Sequence, residues 1–178
     1  MKRISKFVLS IITIPVLILI DQVTKNLAEA FLMGKDKVSV WKDYIVLIYA
    51  TNRGGFLSFA SGANDVLWAV FFVALPIAVL VLFSIYIIRE KRDNGLYLAF
   101  WVLVISGGMG NLIDRILYGE VIDFINIGIG NVRTGIFNVA DLYLNFFTVI
   151  VVIIYLTGLR KPCRDTGRSQ PKDFASEE

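Results

Sequence analysis

Two aspartates, Asp123 and Asp141, close a short stretch that has long apolar runs on both sides. Within the same stretch, GGMGNLIDRILYGEVIDFINIGIGNVRTGIFNVADLYLN, sit Asn111, Asp114, Arg115 and Asn138. A carboxylate at the edge of a bilayer is costly to dehydrate, so a group of them there points to function. Two carboxylates held close cannot both ionise cheaply, and they come to share one proton. The ionised member can take a proton from water as that water attacks an amide carbonyl. The protonated member can donate to the carbonyl oxygen and assist the leaving amine. Asn or Arg neighbours can stabilise the oxyanion. Spacing alone leaves two other readings open: a small proton-coupled carrier, which also uses membrane carboxylates, and a scaffold without activity.

Composition narrows the chemistry. The absence of histidine removes Ser–His and Cys–His nucleophile pairs and the commonest metal ligand. The single cysteine, Cys163, lies in a polar tail, so no disulfide frame and no cysteine metal site is expected. Neither a metal, a cofactor nor a nucleic acid is expected as a partner.

The elements that must position the two acids are membrane spans. Of 178 residues 56% are hydrophobic, with a mean hydropathy of +0.68, where roughly 45–50% apolar is usual for soluble domains. Four apolar runs, near residues 7–27, 66–88, 96–117 and 139–159, reach the length of about 20 residues that a helix needs to cross a hydrocarbon core. An α-helical membrane protein with four transmembrane helices follows, as one domain over residues 1–160. Residues 161–178 read as a disordered cytoplasmic tail. No internal repeat suggests a two-fold transporter architecture. Lys2, Arg3 and Lys6 precede a run that could pass for a signal peptide, but no small-residue cleavage site follows, so the run reads as a retained span. Those residues, then Arg89, Lys91 and Arg92, then Arg160, Lys161 and Arg164, fall on one side of a four-span chain. That side is expected to be the cytoplasm, with both termini inside.

On the opposite side, Asp21 and Lys25 are four apart at the end of the first run and pair on one helix face. Residues 37–60 form a β-rich insertion, with strands near 37–41 and 44–51 turning at Lys42-Asp43, followed by Asn52-Arg53-Gly54-Gly55. The second span carries Pro76 and no ionisable residue, and reads as packing only. The third ends in small residues, Gly107-Gly108-Met109-Gly110, that admit a close neighbour. Beyond it Asn111 and Asp114 share a face, with Arg115 assigned elsewhere. Residues 124–137 read as a hairpin turning at Gly130-Asn131, which brings Asp123 near Asp141. Two plainer readings stand beside this one. Asn138 to Asp141 has the spacing of a helix cap with an acid in the first turn, and Asp123 could be a solvated loop acid.

At these residues the chain resembles the lipoprotein signal peptidases, the bacterial signal peptidase II family of membrane aspartyl peptidases. Asp21-Gln22-Val23-Thr24-Lys25 follows the family's D-Q-x-[ST]-K block, and Asn52-Arg53-Gly54 begins its N-x-G-A-[AS]-F block. Gly110-Asn111-Leu112-Ile113-Asp114-Arg115 follows G-N-x-x-D-R, Val121-Ile122-Asp123-Phe124 follows V-x-D-[FY], and Phe137-Asn138-Val139-Ala140-Asp141 follows F-N-x-A-D. The resemblance implies a catalytic pair, Asp123 and Asp141. It also implies that Asn52, Gly54, Asn111, Arg115 and Asn138 serve the substrate site while Asp21, Lys25 and Asp114 support it. The implied substrate is a prolipoprotein, cut just before a cysteine already carrying diacylglycerol, by a monomer in the bacterial inner membrane. Its active site would face outward beneath a β-cradle resting on the lipid. The chain departs from the pattern at Gly55-Phe56-Leu57-Ser58, beside the added charge of Arg53, which touches substrate and inhibitor preference rather than the chemistry.

Overall fold

The computed structural model describes residues 3–54, 64–89 and 95–156. The departure at Gly55 to Ser58, the loop at 90–94, the end of the last apolar run and the tail from 161 lie outside the described residues.

Helix α1 (Arg3–Leu32) extends five residues past the apolar run near residues 7–27. The overhang has a packing cause: Ala28 and Leu32 bury against Ile122 and Phe124 of the sheet, with Leu47, Tyr49 and Val139 around them. Among the described residues three segments are long and apolar enough to cross a membrane, Phe7–Leu32, Asp65–Arg89 and Leu98–Tyr118. Their outward faces carry exposed large apolar side chains such as Leu19, Leu67 and Leu82, as lipid-facing helices require. A fourth apolar helix, α5 (Val139–Leu156), is described over 18 residues.

The second of these segments is not one continuous α-helix. It consists of α2 (Asp65–Ala69), a π-turn over Val70–Ala74 and α3 (Leu75–Arg89). The Leu75 N–H bonds the Val70 carbonyl, five residues back. Pro76 cannot donate to the Phe72 carbonyl and its ring crowds that oxygen, so a wider turn just before it relieves both problems without breaking the helix.

Helix α4 (Gly95–Tyr118) is the central post. A Cβ on Gly107 would stand 2.6 Å from the Ala140 carbonyl oxygen, and one on Gly110 would stand 2.5 Å from an Asp21 carboxylate oxygen. Glycine at both positions lets α5 and α1 close on α4. At the other end Ile87, Trp101 and Val102 form an apolar cluster, where Phe7 stacks on Trp101 at 5.5 Å.

The strands form one antiparallel sheet in the order β1-β2-β3-β4, with β1 at Val38–Trp41, β2 at Ile45–Asn52, β3 at Val121–Ile129 and β4 at Val132–Arg133. Lys42 and Asp43 have φ of 43° and 60°, the left-handed pair that a tight hairpin turn requires. The two expected hairpins are thus one sheet, joined where β2 pairs with β3. Asp123 sits inside β3 opposite Ala50, not in the approach to it, and Asn52 lies opposite Val121. Phe137 then exchanges backbone hydrogen bonds with Ile125 before α5 begins, which returns the chain from the hairpin to the foot of β3.

Candidate active site

The site is assembled where the sheet meets the ends of α1, α4 and α5. Asn138 precedes α5 and caps it: its Oδ1 accepts the Asp141 N–H at 3.0 Å, while Asp141 Oδ2 accepts the Asn138 N–H at 3.3 Å. This reciprocal box satisfies two of the donors left over at a helix start. The cap reading of Asp141 and the site reading are therefore compatible. The cap fixes the carboxyl, and its other oxygen accepts the Asn111 side-chain amide at 2.9 Å.

Asp123 is reached from both sides. Asn138 Nδ2 donates to one oxygen at 2.6 Å, and Asn52 Nδ2 donates to the other at 3.1 Å. Asn138 also donates to Asn111 Oδ1 at 3.1 Å, so a chain of amides links the two aspartates. The Asp123 side chain is buried, only 4% of the residue being exposed, and is not a solvated loop acid. Its carboxyl is pushed up to about 6, first by burial, with the charge of Asp141 adding to the effect. The Asn52 and Asn138 amides and the distant Lys25 charge oppose the rise. Asn52 itself is aimed by its own turn, where the Gly54 N–H donates to Asn52 Oδ1 at 2.8 Å.

A second layer lies beneath. Lys25 Nζ is buried and meets three acceptors, Asp21 at 2.8 Å, Asp114 at 2.7 Å and Asn111 Oδ1 at 3.0 Å. An ammonium has three N–H donors, so each has an oxygen. Asp21 Oδ1 in turn accepts the Ala140 N–H at 2.8 Å in the first turn of α5. The Asp21–Lys25 pair expected on α1 thus ties three helices together. Gln22, given no role by the sequence, joins this layer and donates to Asp114 at 2.8 Å and to the Gly110 carbonyl at 3.1 Å. Its signals in the sequence are its place in the D-Q-x-[ST]-K block and an amide between two charged residues at the end of an apolar run.

Arg115 corrects the sequence reading. Four residues beyond Asn111, it turns about 40° from it on a helix, closer to that face than Asp114 does. It interacts electrostatically with Asp141, Asp123 and Asp114, and its guanidinium lies 5.7 Å from the centre of the Phe72 ring. Both aspartates open on one cavity of about 560 Å³, lined also by Asn52, Ile136, Phe137, Leu142 and Asn145. Gly54 borders the site through its bond to Asn52. Asn111, Asn138 and Arg115, expected to line the site, reach the two acids through hydrogen bonds or charge but do not line the cavity, and neither do Asp21, Lys25 and Asp114. Two acids in an apolar-walled recess with amide donors at hand are suited to exchanging protons with one bound water and one carbonyl.

Residues 13–157 match the family model for signal peptidase (SPase) II. The chain is 36% identical over 150 residues to a lipoprotein signal peptidase of Staphylococcus carnosus (strain TM300), covering 84% of this chain and 91% of that one. It is 30% identical over 146 residues to a lipoprotein signal peptidase of Syntrophus aciditrophicus (strain SB), covering 82% and 91%. In three dimensions it is similar to a bacterial membrane enzyme solved by the in meso method at 2.3 Å resolution. That likeness has a TM-score of 0.71 at 27% identity, over 90% of this chain and 94% of that one.

Proposed function

The chain belongs to the signal peptidase II family, and from that membership we propose that it is an aspartyl endopeptidase with Asp123 and Asp141 as its catalytic pair. The observation that carries the proposal is the shared cavity, on which both carboxyls open while one run of amides holds them. A proton-coupled carrier is less well supported, because the buried carboxylates and Lys25 gather at one end of the helices.

Asp123, the more buried acid, holds the shared proton, and Asp141 is the base. A water between them loses a proton to Asp141 as its oxygen bonds to the scissile carbonyl carbon. The Asp123 proton passes to the carbonyl oxygen, giving a gem-diol. On collapse the C–N bond breaks, Asp141 returns its proton to the amine nitrogen, and a diol hydroxyl restores the proton of Asp123. Asn52, bonded to Asp123, and Arg115, which interacts with both acids, are the groups that would stabilise charge developing on the carbonyl oxygen.

The substrate is a prolipoprotein cut before its diacylglyceryl-modified cysteine. In this reading α5 is the fourth crossing, and the protein works as a monomer in the bacterial inner membrane with its site at the outer face. The basic groups at Lys2 to Lys6, Arg89 to Arg92 and Arg160 to Arg164 support cytoplasmic termini. The test uses purified Asp123→Asn and Asp141→Asn variants with a diacylglyceryl-modified precursor in detergent, the released signal peptide being measured. Both variants should be folded and inactive. Near-normal turnover by either would remove the dyad.

A further inference from the structure

The second apolar segment reaches the site at two points that a packing helix would not need. Trp68 donates its indole N–H to the Arg53 carbonyl at 2.7 Å, in the turn that presents Asn52 to Asp123. Phe72 lies four residues on, inside the π-turn, with its ring centre 6.1 Å from that of Trp68. The Phe72 ring fills the space beside Gly54, where a Cβ would stand 2.4 Å from it, and its face meets the Arg115 guanidinium at 5.7 Å. Arg115 has a buried Nε that finds no hydrogen-bond acceptor among the described residues. A guanidinium held by an aromatic face is oriented without its in-plane donors being consumed. π-turns recur at functional sites because the inserted residue turns a side chain away from the regular helical face.

We propose that Trp68 and Phe72 are positioning residues for hydrolysis, Trp68 holding the Asn52 turn and Phe72 holding the Arg115 guanidinium beside the two aspartates. The proposal rests on the aspartyl peptidase reading. The charged groups facing Arg115 are Asp141, Asp123 and Asp114, and Lys25 lies beyond Asp114. With the ring removed, the guanidinium is free to draw away from the acids, and a cation leaving a carboxyl pair lets the pair keep its proton to higher pH.

The experiment measures kcat and KM from pH 5 to 9 with the lipidated precursor for wild type, Phe72→Leu, Phe72→Tyr and Trp68→Phe. Phe72→Leu should lower kcat about tenfold, the scale of a lost cation–π contact, with KM little changed and the alkaline limb moved to higher pH. Phe72→Tyr, which keeps the ring, should restore both kcat and the limb. Trp68→Phe, which keeps a ring but loses the N–H, should lower kcat and, by loosening the Asn52 amide that holds down the proton affinity of Asp123, also move the limb to higher pH. Wild-type kcat and limb in this variant overturn the role of Trp68. A Phe72→Leu enzyme with an unmoved limb, or a Phe72→Tyr enzyme as impaired as Phe72→Leu, overturns the positioning role. Inactive Asp123→Asn and Asp141→Asn enzymes beside such a result would leave the peptidase reading intact, whereas active ones would remove that reading itself.

Discussion

Replacing Asp123 with Asn should abolish cleavage yet make the fold less sensitive to rising pH. The Asp123 carboxyl binds its proton up to about pH 6, against 3.8 for the unperturbed group. The folded protein therefore holds that proton more tightly than the unfolded chain does. Stability from this group is fully present below 3.8 and is lost as pH rises through about 6. At 1.36 kcal/mol for each tenfold change in proton affinity, the loss by neutral pH is about 3 kcal/mol, an upper bound because the cavity is open to water. Asn at this position keeps the shape but presents one carbonyl oxygen to two amide donors, Asn52 and Asn138. One of those contacts is lost at every pH, at a cost of about 1–3 kcal/mol. The variant should thus be less stable than wild type near pH 4 and should draw level with or pass it by pH 8. For a chain of this size about 3 kcal/mol corresponds to roughly 6–12 °C of unfolding midpoint. Tryptophan fluorescence during heating in detergent, read every half unit of pH, follows the difference between the two proteins. A difference that stays constant from pH 4 to pH 8 would refute the reasoning, because the proton would then not be held at Asp123.

The remaining expectations concern activity and packing. Log kcat/KM for wild type should fall on the alkaline side with an apparent pKa of about 6, because this ratio reports the acid of the free enzyme; a flat profile to pH 9 would contradict it. Lys25→Met should strip two buried carboxylates of their cation and lower stability by about 3–5 kcal/mol, read as midpoint and as yield of folded protein. Gly110→Ala should cost about 1–3 kcal/mol, because its Cβ meets the Asp21 carboxylate. Gly34→Ala has open space around it and only its positive φ of 73° to strain, and should cost about 1 kcal/mol. Thermal midpoints of the two alanine variants decide that comparison.

Much of the local structure was legible because local chemistry dictates it. The Lys42-Asp43 turn, the cap from Asn138 to Asp141 and the pairing of Asp21 with Lys25 depend on residues at most four apart. The apolar runs were legible for the same reason, since each is one element long. What the sequence left open is long-range. Nothing in the sequence of residues 45–52 names residues 121–127 as their partner, so the junction of β2 with β3 and the place of Asp123 inside it were not foreseen. The five extra residues of α1 are paid for by contacts with that same sheet. The roles of Trp68 and Phe72 depend on a π-turn, which periodicity at 3.6 residues cannot reveal. The helix face read for Arg115 is wrong for a simpler reason: it stands four residues from Asn111, and that spacing keeps a side chain on the same face.

The two layers of the polar cluster also explain how a lysine and the proposed proton-sharing pair can coexist in so small a volume. A cation hydrogen-bonded to Asp123 or Asp141 would favour two ionised carboxylates and leave no acid to donate. Arg115, whose guanidinium rests on the Phe72 ring, acts on both through space and makes no ion pair with either among the described residues. Lys25 is kept from that position by having all three donors taken, by Asp21, Asp114 and Asn111. Asn111 then passes only a neutral amide on to Asp141, and Asn138 and Asn52 do the same for Asp123. Each aspartate is thereby held by two N–H donors that carry no full charge, which fixes its oxygens and, in the proposed mechanism, leaves the proton to be shared between the pair. Neutral amides in the upper layer and a saturated ion cluster in the lower one are different solutions to one requirement: the lower layer must hold three helices together under the sheet, and the upper must remain free to titrate.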